Sequence, residues 1–315
     1  MNARLAVTMG DPGGIGPEVL VKAFRRQGCL KDVSFFVIGH GPVLRHYGFK
    51  KTPRMTLLDP CRPGKRLFSP GPSRDSGKAA LECLRLAAEL ARRGEVSGLV
   101  TAPVSKEVLK PLGFRWPGQT EFLREALGAG QVEMVFVSDR LKVALVTRHV
   151  SLQQAIRDVR KDRIISCGRM IFDLLRGRFG LRKPRVGVCG LNPHAGESGL
   201  FGQQERLEIA PAIRCLNRSF PGVFAGPLAP DSVFHRAYQG EFDMVLCMYH
   251  DQGLIPFKMT EFNRGVHLTA GLPVVRTSPV HGTAYDIAGK NRADEGSMLA
   301  AILLARRLVK AGERA

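Results

Sequence analysis

The sequence predicts an α/β protein built on a largely parallel sheet, and three observations carry that prediction. Short apolar runs rich in Val, Leu and Met alternate with longer stretches of helical periodicity. Clusters of Gly, His, Asp and Lys begin where several of the apolar runs stop. The chain has 315 residues, 44% hydrophobic and 24% charged, enough for one large or two closely joined α/β domains.

Strands are expected at 5–9, 33–38, 96–101, 132–137, 143–147, 186–191, 244–248 and 273–276, each a compact apolar run. Helices are expected at 17–25, 76–93, 152–176, 203–216 and 295–311. The first strand runs into Gly10-Asp11-Pro12-Gly13-Gly14-Ile15-Gly16-Pro17-Glu18, and the third into Ala102-Pro103-Val104-Ser105-Lys106. Others end at Arg148-His149, at Asn192-Pro193-His194-Ala195-Gly196-Glu197, and at Tyr249-His250-Asp251-Gln252-Gly253. Ligands of open parallel sheets bind at the carboxyl ends of strands, so five such ends predict a shared cleft.

Composition narrows the function classes. The formal net charge of +19 raises nucleic-acid binding as a class. The basic residues are spread, however, and the densest stretch, 157–185, carries Ile164, Ile165, Met170, Ile171, Leu174 and Leu175 at helical spacing. That pattern is a solvated helix face, and the milder expectation is attraction for phosphorylated metabolites rather than for nucleic acid. No run approaches the roughly 18–20 apolar residues of a membrane span. The first nine residues lack a signal-peptide pattern, so a cytoplasmic protein is expected. Seven cysteines, at 29, 61, 83, 167, 189, 215 and 247, form no C-x-x-C pair and are expected to be buried reduced thiols.

His149, His194 and His250 each follow an apolar strand closely. A lone histidine at a strand end is more often a hydrogen-bonded loop residue. Three that converge would suit a catalytic divalent metal with open coordination positions. Asp251 is either a ligand-orienting carboxylate, a base, or a loop cap. The glycines at 10, 13, 14 and 16 do not fit the dinucleotide-binding G-x-G-x-x-G spacing, although backbone N–H groups at that helix start are expected to be open to an anion.

The segment His281-Gly282-Thr283-Ala284-Tyr285-Asp286-Ile287-Ala288-Gly289-Lys290 is more specific. It resembles the adenosine-binding loop of isopropylmalate and isocitrate dehydrogenases, which bind NAD or NADP without a Rossmann domain. Together with GDPGGIGPE, TAPVSKE, PGQTEFL, LNPHAGESGLFGQQE, PDSVFH, MYHDQGLIPFK and GLPVVRTS, it resembles the 4-hydroxythreonine-4-phosphate dehydrogenases almost end to end.

That resemblance implies a two-lobed, three-layer αβα fold of the isocitrate/isopropylmalate dehydrogenase type, non-Rossmann. The first lobe, cofactor-binding, would comprise 1–129 with 266–315; the second, 130–265, would bind metal and form a homodimer interface holding the site. It implies NAD at His281, Gly282, Thr283, Ala284 and Asp286. It implies Zn, Co or Mg on His149, His194 and His250, with Lys258 or Asp251 as the base. A small phosphorylated substrate would be held by Gln119, Thr120, Lys258, His267 and Arg276. The family reaction is oxidation and decarboxylation of 4-phosphooxy-L-threonine in pyridoxal phosphate biosynthesis. Two positions depart from the pattern: Gln119 stands where the family has His, and His267, expected here to add a charge, where it has Asn. The departures leave room for 4-phospho-D-threonate or 4-phospho-erythronate, or for an aromatic cis-dihydrodiol.

Overall fold

The computed structural model describes residues 4–26, 32–61 and 69–312. The chain divides into two compact units, one of Met1–Val132 with Asn263–Arg314, the other of Glu133–Phe262. Cys29 lies outside the described residues. Of the other six cysteines five are buried and Cys215 is half-buried, all as free thiols.

The first unit contains strands β1 (Arg4–Thr8), β2 (Ser34–Ile38), β3 (Met55–Leu58) and β4 (Gly98–Thr101), then β10 (Val266–Ala270) and β11 (Val275–Pro279) from the returning chain. Their order is β3-β2-β1-β4-β11-β10. All neighbours are parallel except β10, which pairs antiparallel with β11 and sets Thr269 opposite Arg276. Its helices are α1 (Gly16–Arg25), α2 (Gly41–His46), α3 (Arg74–Arg92), α4 (Lys106–Leu109), α5 (Gln119–Ala126) and α11 (Gly296–Gly312). α3 shows why such a long helix forms. Ser73 and Ser76 close a reciprocal capping box at its start, and Ala80, Cys83, Leu84, Ala87 and Ala91 recur at helical spacing on its buried face.

The second unit contains β5 (Glu133–Val137), β6 (Lys142–Leu145), β7 (Val186–Cys189), β8 (Phe224–Leu228) and β9 (Met244–Cys247), ordered β5-β6-β9-β7-β8. Only β5 and β6 are antiparallel. Its helices are α6 (Leu152–Asp158), α7 (Lys161–Gly177), α8 (Ala210–Ser219), α9 (Pro230–Tyr238) and α10 (His250–Glu261). In both units inner strands such as β4, β7 and β9 are buried on both faces, as a parallel sheet layered between helices requires.

The helix expected over 152–176 is two helices. Glu208 accepts from the Lys161 N–H at 2.7 Å and from the Arg160 guanidinium at 3.0 Å. The carboxylate caps α7 at its N-terminus and holds Arg160 in extended backbone, ending α6 before it.

The anion expected at the glycine-rich turn has no place to bind there. Residues Met9 to Leu20 are all buried. The Asp11 N–H donates to the Pro103 carbonyl, those of Gly13 and Gly14 to the Asp11 side chain and carbonyl, and that of Ile15 to the Thr283 carbonyl. The glycines serve close packing. A Cβ on Gly14 would lie 2.7 Å from the Thr283 oxygen, and one on Gly16 2.2 Å from the Met9 oxygen.

Candidate active site

The first unit assembles a site around Arg276, which sits in β11 and is 2% exposed. Its guanidinium donates to Thr101 Oγ1 at 2.8 Å, Thr269 Oγ1 at 3.1 Å, Thr120 Oγ1 at 3.4 Å and His267 Nδ1 at 3.1 Å. None of these partners is a carboxylate. Burial pulls the guanidinium down to about 10, so it remains a cation at neutral pH. Its Nε has no hydrogen-bond partner among the described residues. A buried, charged, incompletely satisfied guanidinium is costly, and an incoming anion is what would satisfy it.

The topology explains why these side chains meet. Thr101 ends β4, which neighbours β11. His267 and Thr269 lie two residues apart on β10 and so face the same side of the sheet, the side of Arg276, which pairs with Thr269 across the ladder. Thr120 stands in the first turn of α5. Gln119 donates from Nε2 to the Ala102 carbonyl at 3.1 Å, and its Oε1 is buried with no hydrogen-bond partner among the described residues. The expectation that His267 adds a charge is corrected. Arg276 can only donate, so His267 Nδ1 must accept, and the imidazole is neutral with its proton on Nε2. Ser278 Oγ lies 3.2 Å from the same Nδ1.

On the same unit, the His281-to-Lys290 loop follows β11. His281 donates from Nδ1 to the Gly282 carbonyl at 3.0 Å, which leaves a lone pair on Nε2. That Nε2 is buried without a hydrogen-bond partner among the described residues, and burial lowers the ring's affinity for a second proton. Gly282 has open space where a side chain would stand, and Asp286 is exposed. An orphaned acceptor beside an open glycine suits the edge of a flat donor ligand such as adenine.

The second unit carries the histidines. His149 and His250 come together, ring centroids 5.6 Å apart, on a cavity of about 240 Å³ that Thr147, Arg148, Tyr249 and Asp251 also line. The His149 turn has φ +48 and is held from below. Arg163 donates from Nε to the Val146 carbonyl at 3.0 Å and forks onto the buried Glu133. His250 Nδ1 meets Asp251 Oδ1 at 2.6 Å, a pairing in which the carboxylate orients the ring and leaves Nε2 to serve as a metal ligand. Gln252, which sequence reasoning did not single out, joins two strand ends: it accepts from Met248 N at 2.7 Å and donates to the Gly190 carbonyl at 2.8 Å.

His194 is exposed on a turn of an unusual kind. From His194 to Gly199 every residue has positive φ, and four of them, His194, Ala195, Glu197 and Ser198, carry side chains. Left-handed backbone costs about 1–2 kcal/mol per such residue, so something must hold it. Glu205 does. Its buried carboxylate accepts from the backbone N–H groups of Leu191 and Asn192, both at 2.7 Å, and from Asn192 Nδ2 at 2.9 Å. Among the described residues no three His, Cys, Asp or Glu side chains of one chain converge as a ligand set. The expected trio is therefore brought together only as the pair of His149 and His250, because the left-handed turn sets His194 on a surface of its own.

Glu205 and Gln252 were legible only as members of longer motifs, Thr101 carried no local signal beyond its strand position, and Thr269 carried none. We expect Glu205→Gln to weaken retention of a divalent ion by roughly 10–100-fold, as for other groups that support a ligand. Isothermal titration with Zn²⁺ or Co²⁺ checks this, and unchanged affinity in a folded variant sinks the assigned role.

Comparison with known proteins covers nearly the whole chain. The family model described as "Pyridoxal phosphate biosynthetic protein PdxA" matches residues 51–305. The chain is 42% identical to a 4-hydroxythreonine-4-phosphate dehydrogenase of Desulfosudis oleivorans, over 97% of this chain and 96% of that one. It is 38% identical to a D-threonate 4-phosphate dehydrogenase of Pectobacterium atrosepticum, over 98% and 100%. The crystal structure of 4-hydroxythreonine-4-phosphate dehydrogenase from Klebsiella pneumoniae superposes with a TM-score of 0.85 at 37% identity, covering 98% of each chain. Fold and relatives together define an α/β dehydrogenase. The chain belongs to the pyridoxal phosphate biosynthetic protein PdxA family.

Proposed function

We propose that this protein oxidises the C3 hydroxyl of 4-phosphooxy-L-threonine with NAD⁺ and releases CO₂ and 3-amino-2-oxopropyl phosphate, a step of pyridoxal 5'-phosphate biosynthesis in the cytoplasm. The observation that carries the reading is Arg276, a buried cation with hydroxyls and a neutral imidazole around it and no carboxylate. A substrate anion completes that set, gripped by Arg276 and Thr120, with Gln119 and His267 directing the polar atoms around it and Lys258 as a further substrate contact on this reading.

Oxidation removes a hydride from C3 and a proton from its hydroxyl. Asp251 is engaged with His250, which leaves the half-buried Lys258, two turns along α10, as the group that takes the proton. A divalent ion (Zn, Co or Mg) on His149, His194 and His250 would supply polarisation of the hydroxyl and of the ketone that follows. NAD, the hydride acceptor, would lie against His281, Gly282, Thr283, Ala284 and Asp286. The β-keto acid then loses its carboxylate as CO₂, and a proton replaces it.

The site is completed, on this reading, by a second copy of the chain. The exposed large apolar side chains support it: Val150, Leu152, Ile156, Leu200, Phe201, Leu207, Ile255, Met259 and Phe262 all belong to 133–262 and include neighbours of all three histidines. No helix among the described residues is long and apolar enough to cross a membrane.

A second reading keeps the chemistry and changes the substrate to 4-phospho-D-threonate. The Pectobacterium relative favours it, as do Gln119 and His267. The deciding experiment follows NADH absorbance with purified protein, added metal, and 4-phosphooxy-L-threonine, 4-phospho-D-threonate or an aromatic cis-dihydrodiol. We expect the first to be turned over fastest. No NADH from it, with rapid turnover of either of the others, replaces the substrate assignment and leaves the dehydrogenase class standing.

A further inference from the structure

The glycine-rich turn GDPGGIGPE is buried, and the amides of Asp11, Gly13, Gly14 and Ile15 are spent within the protein, so its role lies elsewhere. Its polar side chains, with those of α1, meet one partner repeatedly: the 283–293 segment. The Ile15 N–H donates to the Thr283 carbonyl at 2.9 Å. Tyr285 donates its hydroxyl to Asp11 Oδ2 at 2.7 Å, while Asp11 Oδ1 is held by the Gly13 N–H at 2.8 Å. The hydroxyls of Ser105 and Thr283 also hydrogen-bond the Tyr285 oxygen, which ties the end of β4 into the same knot. Further along, Tyr47 at the end of α2 accepts from the Gly289 N–H. Lys22 donates to the Asn291 carbonyl at 3.1 Å and the Ala293 carbonyl at 2.8 Å. Glu18, 1% exposed, accepts from the Ala293 N–H at 2.8 Å and from Lys22 at 2.7 Å.

The segment so held is a strained one. Ala284 and Asn291, near its two ends, have φ of +43 and +55. Backbone of this kind keeps its shape only when surrounding contacts over-determine it. The contacts here are charged at both ends: Asp11 at one and the Glu18–Lys22 pair at the other. Burial, followed by the Asp11 carboxylate, pushes the Tyr285 phenol well above its ordinary range, so it donates at every physiological pH.

We propose that Asp11 and Tyr285 are positioning residues for the cofactor. They clamp the 281–290 loop in the shape that presents His281 Nε2 and the open Gly282 to the nucleotide, and the glycine-rich turn exists to carry that clamp rather than to bind phosphate. The inference rests on reading 281–290 as the cofactor loop. Preorganisation of this kind lowers the entropy lost on binding, so its removal is felt as affinity for the nucleotide and not for the substrate.

The test is Tyr285→Phe, which keeps the ring and removes only the hydroxyl, with Tyr47→Phe as an independent cut at the other end of the loop. NADH binding is measured by fluorescence titration, thermal stability by Tm, and substrate binding by KM. Loss of this hydrogen bond, which leaves the buried Asp11 Oδ2 short of a donor, predicts a lowered Tm and, as the loop loses its held shape, an NADH Kd raised about tenfold in Tyr285→Phe, with substrate KM unchanged. Tyr47→Phe, which loses a neutral hydrogen bond, should show a smaller rise. Asp286→Ala, measured beside them, separates the two layers of the argument. Weaker NADH binding in Asp286→Ala with parental affinity in Tyr285→Phe overturns the clamp and keeps the loop assignment. Parental affinity in all three overturns both. An equal loss of nucleotide and substrate binding also overturns the clamp, since it marks a general packing role.

Discussion

Arg276→Met should lower kcat/KM at least about 100-fold while leaving the NADH Kd where it was. Each hydrogen bond to a charged group contributes roughly 1.5–3 kcal/mol, and a substrate anion on Arg276 would make more than one. The same substitution should leave Tm unchanged or raise it. Arg276 is buried with no opposite charge beside it, and only Glu121 is near enough to ease that cost electrostatically. An apolar side chain of similar length removes the desolvation penalty, and the threonine hydroxyls around it can turn to other acceptors. Activity and stability would thus move in opposite directions, as they do where a site holds strain for its ligand. Arg276→Lys keeps the charge and loses the fork, so it should fall between the two. Parental activity in the Met variant would sink the anion-site assignment, and with it the observation on which the proposed reaction stands.

Exhaustive chelation should abolish turnover, and Zn²⁺, Co²⁺ or Mg²⁺ should restore it. The expectation comes from His149 and His250 facing one cavity, from the Asp251 carboxylate on His250 Nδ1, and from His194 held on its own turn by Glu205. His250→Ala should be as inactive as the chelated protein and should not respond to added metal. A protein that is free of metal by elemental analysis and still turns over at the parental rate refutes the metal assignment. It would leave Arg276 and the 281–290 loop as they are, since both belong to the other unit.

Much of this was legible in the sequence, and the exceptions have physical reasons. Strands that are apolar on both faces announced themselves: VGVC, MVLC and EMVFV need no partner to be read. β3, β8 and β10 did not. β8, FAGPL, contains Gly226 and Pro227, which ordinarily interrupt a ladder, and it survives as the outermost strand of its sheet. β10, VHLTA, places His267 and Thr269 inward to meet Arg276, so its alternation reads as polar where it is buried. α10, HDQGLIPFKMTE, holds both a glycine and a proline and reads as a loop. Gly253 is there because a Cβ would lie 2.9 Å from Cys247 Sγ, a tertiary fact that no local propensity contains. The candidate site residues were found through strand ends and the family motifs. The neutral state of His267 was not, because it follows from a donor on a different strand. The left-handed turn at His194 was not, because four residues there, His194, Ala195, Glu197 and Ser198, defy their own preferences behind the anchor that Glu205 provides.

The two-part first unit has a consequence for the chain as it leaves the ribosome. The second unit is continuous, and all of its strands are synthesised before residue 262. The first unit begins earlier and finishes later, because β11 lies between β4 and β10 and is made near the end. Until then β4 has β1 on one side and nothing on the other, an open parallel edge of Gly-Leu-Val-Thr held through the whole synthesis of the other unit. At about 5–20 residues per second that exposure lasts many seconds. The second unit therefore has all of its strands before the first unit has its last two. An unpaired apolar edge waiting so long is a surface on which nascent copies would stick to one another until β11 arrives to cover it.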